Sequence, residues 1–313
     1  MNTTGTDRAQ PEIRLPFPAT EPPAVDEEPI VEWAARFDLL RVCTAEEVRR
    51  AGYAAAGAWM YPPSRDVLWG QWLTWLWLVD EELDAHFEGR STAAPEPPQS
   101  PREVMPPPGR ERAAPCNRFT RALADLWART APNSPPDWAE RFTADVCEPF
   151  DPSLLALEAQ RTGPPPDLAT YTAHRRAASA TRMCLDLVEA VRGCHLPADL
   201  AAHDHLQTLR TTAVDVISWT NDLHSLPREE DSGAVTNLVL VLQHHRDLDR
   251  PQALDEATAM INRRATELHR LARHTPRLAH DPAERATLDA YAQGVLDWTA
   301  GHARWCATTR RYA

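Results

Sequence analysis

The sequence predicts an all-α protein, and three observations carry that reading. Long stretches of Ala, Leu, Arg and Glu, all good helix formers, fill most of the 313 residues. The 29 prolines crowd into residues 11–29, 62–63, 95–108, 132–136 and 164–166, between those stretches, while Gly is scarce at 11. Alternating β-branched runs are few. The one Val-rich segment, Val235 to Leu242, continues a helical region and reads as readily as a buried helix. The length is ample for a sizeable core.

Taken in order, residues 1–29 read as a proline-rich strap, mobile at first and then extended. Residues 30–313 read as one helical domain. Within it, VLWGQWLTWLWLV (67–79) is apolar nearly all round and predicts a central buried helix. Its apolar run is too short to cross a bilayer. Residues 88–115 are polar, Pro-rich and without an apolar period, and predict a mobile surface loop. The motifs that follow lie on both sides of this loop and need each other, which favours a single domain.

Charge and cysteine content narrow the function. There are 45 acidic side chains against 33 basic ones, all arginine, for a net charge of −12. An acidic excess argues against a nucleic-acid partner. The lack of lysine excludes Schiff-base and P-loop lysine chemistry. Six scattered cysteines with no CxxC, and no signal-peptide pattern at the N-terminus, point to reduced thiols in a cytoplasm.

Two polar clusters continue apolar helices. In VDEELDAH (79–86), a helix puts Asp80 and Asp84 on one face. Carboxylates at the C-terminal end of a buried helix face the negative end of its dipole and lose solvation, a conflict that a bound cation resolves. Taken alone, this cluster reads better as an ordinary solvated helix end. In WTNDLHSLPREE (219–230), Asn221, Ser225 and Glu229 stand at i, i+4, i+8 on a narrow stripe. Their oxygen donors suit Mg²⁺ rather than zinc or copper. Pro227 lies inside the stripe and should bend or end the helix there.

Arginines and aromatics complete the set. Arg175, Arg176 and Arg182 lie near Tyr171, and the chain ends with Arg310, Arg311 and Tyr312. Arginine beside metal-bound carboxylates is a recipe for holding a diphosphate. Trp69, Trp72, Trp75 and Trp77, with Trp298 and Trp305, read mainly as core. A wall of π faces also stabilises a carbocation.

Together these segments resemble a bacterial class I terpene synthase. The pattern NDxxSxx[K/R]E is complete at Asn221, Asp222, Ser225, Arg228 and Glu229. DEELD matches the aspartate-rich motif, with Glu81 where many members have Asp. WTAGHARWCATTRRY resembles the closing segment, and RLPFPATEPPAVDEEPIVEWAARFDLL the N-terminal strap. The resemblance covers nearly the whole chain except residues 88–115.

The resemblance implies a single-domain helical bundle around a central apolar cavity, three Mg²⁺ ions and a linear prenyl diphosphate substrate. It implies that Asp80 and Asp84 bind two metals, and that Asn221, Ser225 and Glu229 bind the third. Arg175 aligns as the diphosphate sensor, with Arg176 as the alternative, and Ser179 as the small effector residue. Arg228, Arg311 and Tyr312 would hydrogen-bond the diphosphate. Leu76, Trp77, Trp298 and Trp305 would line the cavity. Ala178 departs from the linker acid often found there. Farnesyl diphosphate is the leading substrate, with geranyl, methylated geranyl and geranylgeranyl diphosphates as alternatives. A chain-elongating prenyltransferase would need a second aspartate-rich motif, and a degenerate binding protein would not need the complete second metal motif. Membrane insertion is not expected, and a homodimer is left open.

Overall fold

The computed structural model describes residues 12–21, 24–62, 64–90, 99–107 and 109–312. Fifteen α-helices and no strand occur among the described residues. The first half holds α1 (Glu28–Arg36), α2 (Ala45–Ala51), α3 (Tyr53–Met60), α4 (Val67–Phe87), α5 (Pro101–Val104), α6 (Arg118–Thr130) and α7 (Pro136–Cys147). The second half holds α8 (Pro152–Glu158), α9 (Leu168–Ala178), α10 (Thr181–Arg192), α11 (Ala198–Ala201) and α12 (Asp204–Ser232). It closes with α13 (Leu238–Arg246), α14 (Arg250–His274) and α15 (Pro282–Cys306).

The tryptophan-rich segment forms α4, which packs on α1, α3 and α6. Trp72 and Trp75 turn away from the cavity. Their indoles donate to Thr130 Oγ1 and to the Phe119 carbonyl, each at 3.0 Å. Helix α12 packs on α9, α10, α14 and α15, and α15 also packs on α3. Close crossings fix these positions. A Cβ on Gly57 would lie 2.8 Å from Gly70 Cα, and one on Gly301 would lie 2.3 Å from the Trp59 carbonyl oxygen. A buried ion network joins α7, α10 and α12. Arg210 donates to Asp186 and Asp145 at 2.7 and 2.8 Å, and Arg141 to Glu189 at 2.7 Å.

Two expectations are corrected and one is narrowed. Of bending or ending its helix, Pro227 does not do the second: α12 runs on to Ser232. A proline inside a helix costs about 3 kcal/mol, and tertiary bonds hold the last turns against it. Arg228 pairs with Glu81, and Asn237 Nδ2 donates to the Asp222 carbonyl and to Glu229 Oε2, each at 2.8 Å. The stretch 88–115 is not wholly a mobile loop. Residues 91–98 lie outside the described part, but α5 is capped by a Ser100/Glu103 capping box, and Val104 and Met105 are fully buried. Trp127 and Thr143 donate to the Pro106 and Met105 carbonyls. The Val-rich segment splits: Asn237 caps α13, which begins only at Leu238.

Of the strap, residues 12–21 and 24–29 are described: the first run lies along α14 and α15, with Phe17 buried against His269 and the Arg14 N–H bonded to Asn262, and the last two, Glu28 and Pro29, already belong to α1. Residues 1–11, where mobility is expected, lie outside the described residues. No helix among the described residues is long and apolar enough to cross a membrane.

Candidate active site

The C-terminal end of α4 and the C-terminal half of α12 face one polar chamber of about 80 Å³. Asp80 and Asp84 enter it from α4, and Asn221, Ser225 and Glu229 from α12. The helical spacing that aligns each set is visible in the sequence. What the fold adds is their meeting: Asp84 and Arg228, in contact here, are 144 positions apart in the chain.

Arginines hold these groups in the structure. Arg175 donates from Nε and Nη2 to Asp222 Oδ1 at 3.0 and 2.6 Å, and from Nη2 to Asn221 Oδ1 at 3.1 Å. Asp222 is wholly buried, and its other oxygen accepts from the Tyr171 hydroxyl and from the Leu238 N–H. Ala178 offers Arg175 no carboxylate, and the one that pairs with it comes from α12. Whereas Arg175 lines both the chamber and the cavity below it, Arg176, the alternative sensor, is not among the residues that line either. It donates to Asp215 at 2.7 and 2.8 Å, a carboxylate that it shares with Arg264.

At the other wall, Arg228 makes a two-pronged pair with Glu81, at 2.6 and 2.7 Å, and reaches Asp84 at 3.0 Å. Arg311 donates to Asp80 at 2.6 Å and forms an ion pair with Glu81 at 2.9 Å. The Tyr312 hydroxyl accepts from Asn221 Nδ2 at 2.6 Å. Burial works against the Glu81 carboxylate, but Arg311 and Arg228 outweigh it and hold its pKa below the usual value.

The donor set suits a hard metal ion. Every facing donor is an oxygen. Desolvation, then the charge of Asp80, pushes the Asp84 carboxyl up to about 8. Desolvation, then Asp222, pushes Glu229 up to about 7. These are crowded acids that a hard dication would relieve. Among the described residues, no three acidic, His or Cys side chains yet converge on one point. The arginine pairs above occupy Asp80 and Asp84 instead.

Below the chamber lies an apolar cavity of about 150 Å³. Leu76, Trp77 and Trp298 line it, as does the break between α9 and α10. At that break Ser179 ends one helix and Ala180 adopts a left-handed conformation, φ 53°, before α10 begins. Such a residue costs about 1–2 kcal/mol when it is not glycine. The break leaves carbonyls at the end of α9 without helical partners, and residues 178–181 face the cavity. Trp305 corrects its expected place. It lies behind Trp77, stacked at 4.2 Å, with its indole N–H bonded to the Ala51 carbonyl.

Sequence reasoning left Asp222, Glu81 and His302 without roles. Asp222 had a signal, since Tyr171 and Arg175 stand one turn apart on a helix with no acid of its own. His302 lines the cavity one turn after Trp298, and only its i+4 spacing from that residue marked it.

An all-α bundle whose apolar cavity opens under carboxylates and arginines defines a class, the class I terpene synthases. Residues 71–267 match the model of terpene synthase family 2, C-terminal metal binding. The chain belongs to this family. It is 30% identical over 307 residues to a (+)-T-muurolol synthase of Roseiflexus castenholzii, described as (2E,6E)-farnesyl diphosphate cyclizing, covering 95% of this chain and 92% of that protein. It is 27% identical to a germacrene A synthase of Nostoc punctiforme, covering 96% and 94%. Its fold matches a crystal structure of an α-eudesmol synthase with a TM-score of 0.75, at 25% identity, covering 95% and 99%. The chain is a class I terpene synthase and carries a metal-binding region.

Proposed function

We propose that this enzyme is a Mg²⁺-dependent cyclase that converts farnesyl diphosphate into a sesquiterpene, in a cytoplasm and with three Mg²⁺ ions. The observation that carries the reading is the juxtaposition of two oxygen-donor sets and four arginines, Arg161, Arg175, Arg228 and Arg311, over an apolar cavity. The farnesyl diphosphate cyclised by the muurolol synthase supports the fifteen-carbon choice.

Asp80 and Asp84 on one wall, and Asn221, Ser225 and Glu229 on the other, would hold the ions. When bound, Mg²⁺ supplies Lewis-acid stabilisation of the diphosphate leaving group. Arg175, Arg228, Arg311 and the Tyr312 hydroxyl bind the diphosphate oxygens, as donors aimed at developing charge. Arg228 and Arg311 then give up Asp84 and Asp80 to the metal ions and turn to phosphate while Glu81 still holds them, which suits the planar guanidinium fork. Asp222 keeps Arg175 aimed. The cavity receives the allylic chain and excludes water. Carbonyls at the Ser179–Ala180 break and the faces of Trp77 and Trp298 stabilise positive charge as it moves along the chain.

The test is incubation of purified protein with Mg²⁺ and C10, C15 and C20 prenyl diphosphates, with analysis of volatiles and released diphosphate. Cyclic C15 products and diphosphate release are expected. Failure to turn over any of the three would overturn the reading.

A further inference from the structure

The reaction proposed above must end by disposing of a carbocation, and one histidine lines the cavity that would hold it. His302 lies on α15 one turn after Trp298, and both line the apolar cavity. The imidazole is 4% exposed and stacks on the Trp298 indole at 5.4 Å with 12° between planes, which fixes the ring. Among the described residues its hydrogen-bonding neighbour is the Cys306 thiol, 3.5 Å from Nε2 and 3.8 Å from Nδ1. A thiol is a weak donor and a weak acceptor, so the imidazole lone pair is nearly unengaged.

The other ionisable side chains of the cavity have different employment. Asp80, Asp84, Arg175 and Arg311 belong to the polar chamber above it. Glu158 is held by His174 at 2.5 Å and by Thr236 at 3.1 Å. Burial keeps the Cys184 thiol protonated, with its pKa pushed up to about 12. Burial, then the charges of His224 and Arg175, lowers the His302 pKa to about 3. The ring is therefore neutral in the resting enzyme and does not repel a cation. Weak basicity is no obstacle, because a C–H bond next to a carbocation is a far stronger acid than imidazolium.

Resting on the cyclase reading, we propose that His302 is the base that ends the reaction. The C–H bond next to the cationic carbon breaks, and its electron pair becomes the new C=C bond. The proton passes to the imidazole lone pair. The imidazolium so formed is buried near Arg175 and is unstable there. It returns its proton to the released diphosphate as the site opens. Each turnover leaves a neutral hydrocarbon and a neutral His302.

The experiment compares wild type with His302→Phe, which keeps an aromatic ring against Trp298, and His302→Gln, which keeps polarity. Each is given farnesyl diphosphate and Mg²⁺, and both diphosphate release and the product spectrum are measured. The share of the main hydrocarbon should fall at least about tenfold, more than total diphosphate release falls, with other isomers or alcohols replacing it. An unchanged product ratio in the two variants, or a loss of turnover with the ratio preserved, would overturn the role. So would a wild type that makes no hydrocarbon. A wild type that releases no diphosphate would overturn the cyclase reading, and this proposal with it.

Discussion

Arg228 and Glu81 form a two-pronged ion pair, Nη1 to Oε1 at 2.6 Å and Nη2 to Oε2 at 2.7 Å, between the ends of α12 and α4. Arg311 shares the same carboxylate at 2.9 Å. Glu81 thus sets the position of two arginines proposed to bind the diphosphate. In Glu81→Gln both lose the carboxylate that they share, and each keeps only its aspartate. We expect KM for farnesyl diphosphate to rise about tenfold, the equivalent of one charged hydrogen bond, with kcat falling less. Steady-state kinetics checks this. An unchanged KM would show that Glu81 does not position the two arginines.

Asp222 is the buried partner of Arg175, with no exposed surface and bonds to Tyr171 and Leu238 as well. Removing one member of a buried ion pair strands the other, at about 3–5 kcal/mol. Asp222→Asn should lower stability by that order in a denaturant titration. Arg175 loses its aim at the same time, so diphosphate release should fall too. Wild-type stability in the variant would show that the pair is not a support of the fold.

The pH dependence follows from Asp84. In the metal-free protein its carboxyl is raised to about 8, by loss of solvation and by Asp80. Below that pH it is protonated, and a metal must displace the proton to use it. Mg²⁺ affinity should therefore rise with pH up to about 8, by about tenfold per unit between about pH 7 and about pH 8 and more steeply below, where Glu229 must also lose its proton, and then level off. Isothermal titration from about pH 6 to about pH 9 reads the slope. A flat profile would remove Asp84 from the ligand set.

Gly301 meets the Trp59 carbonyl so closely that a Cβ would stand 2.3 Å from its oxygen. That atom is backbone and cannot swing aside. Gly301→Ala should destabilise the fold by about 2 kcal/mol, visible as a lower thermal midpoint with the metal site intact.

The helices α4 and α12 were legible because apolar residues run into polar ones without a break, and the metal-type donors lie at helical spacing on each. The partners of those donors were not. Asp222 meets Arg175 across 47 residues and Glu81 meets Arg228 across 147, distances over which no local pattern operates. Trp305 shows the same limit. Its neighbours, Trp77 and the Ala51 carbonyl, come from helices far away in the chain. Val104 and Met105 were hidden in a polar, proline-rich stretch, where two apolar residues do not make a period.

The most direct test of the central claim is diphosphate release from farnesyl diphosphate, with and without Mg²⁺, by wild type, Asn221→Ala and Glu229→Ala. The account predicts release by wild type only with the metal, and a fall of at least about 100-fold in each variant. Release without metal, or near-normal turnover by either variant, would contradict it.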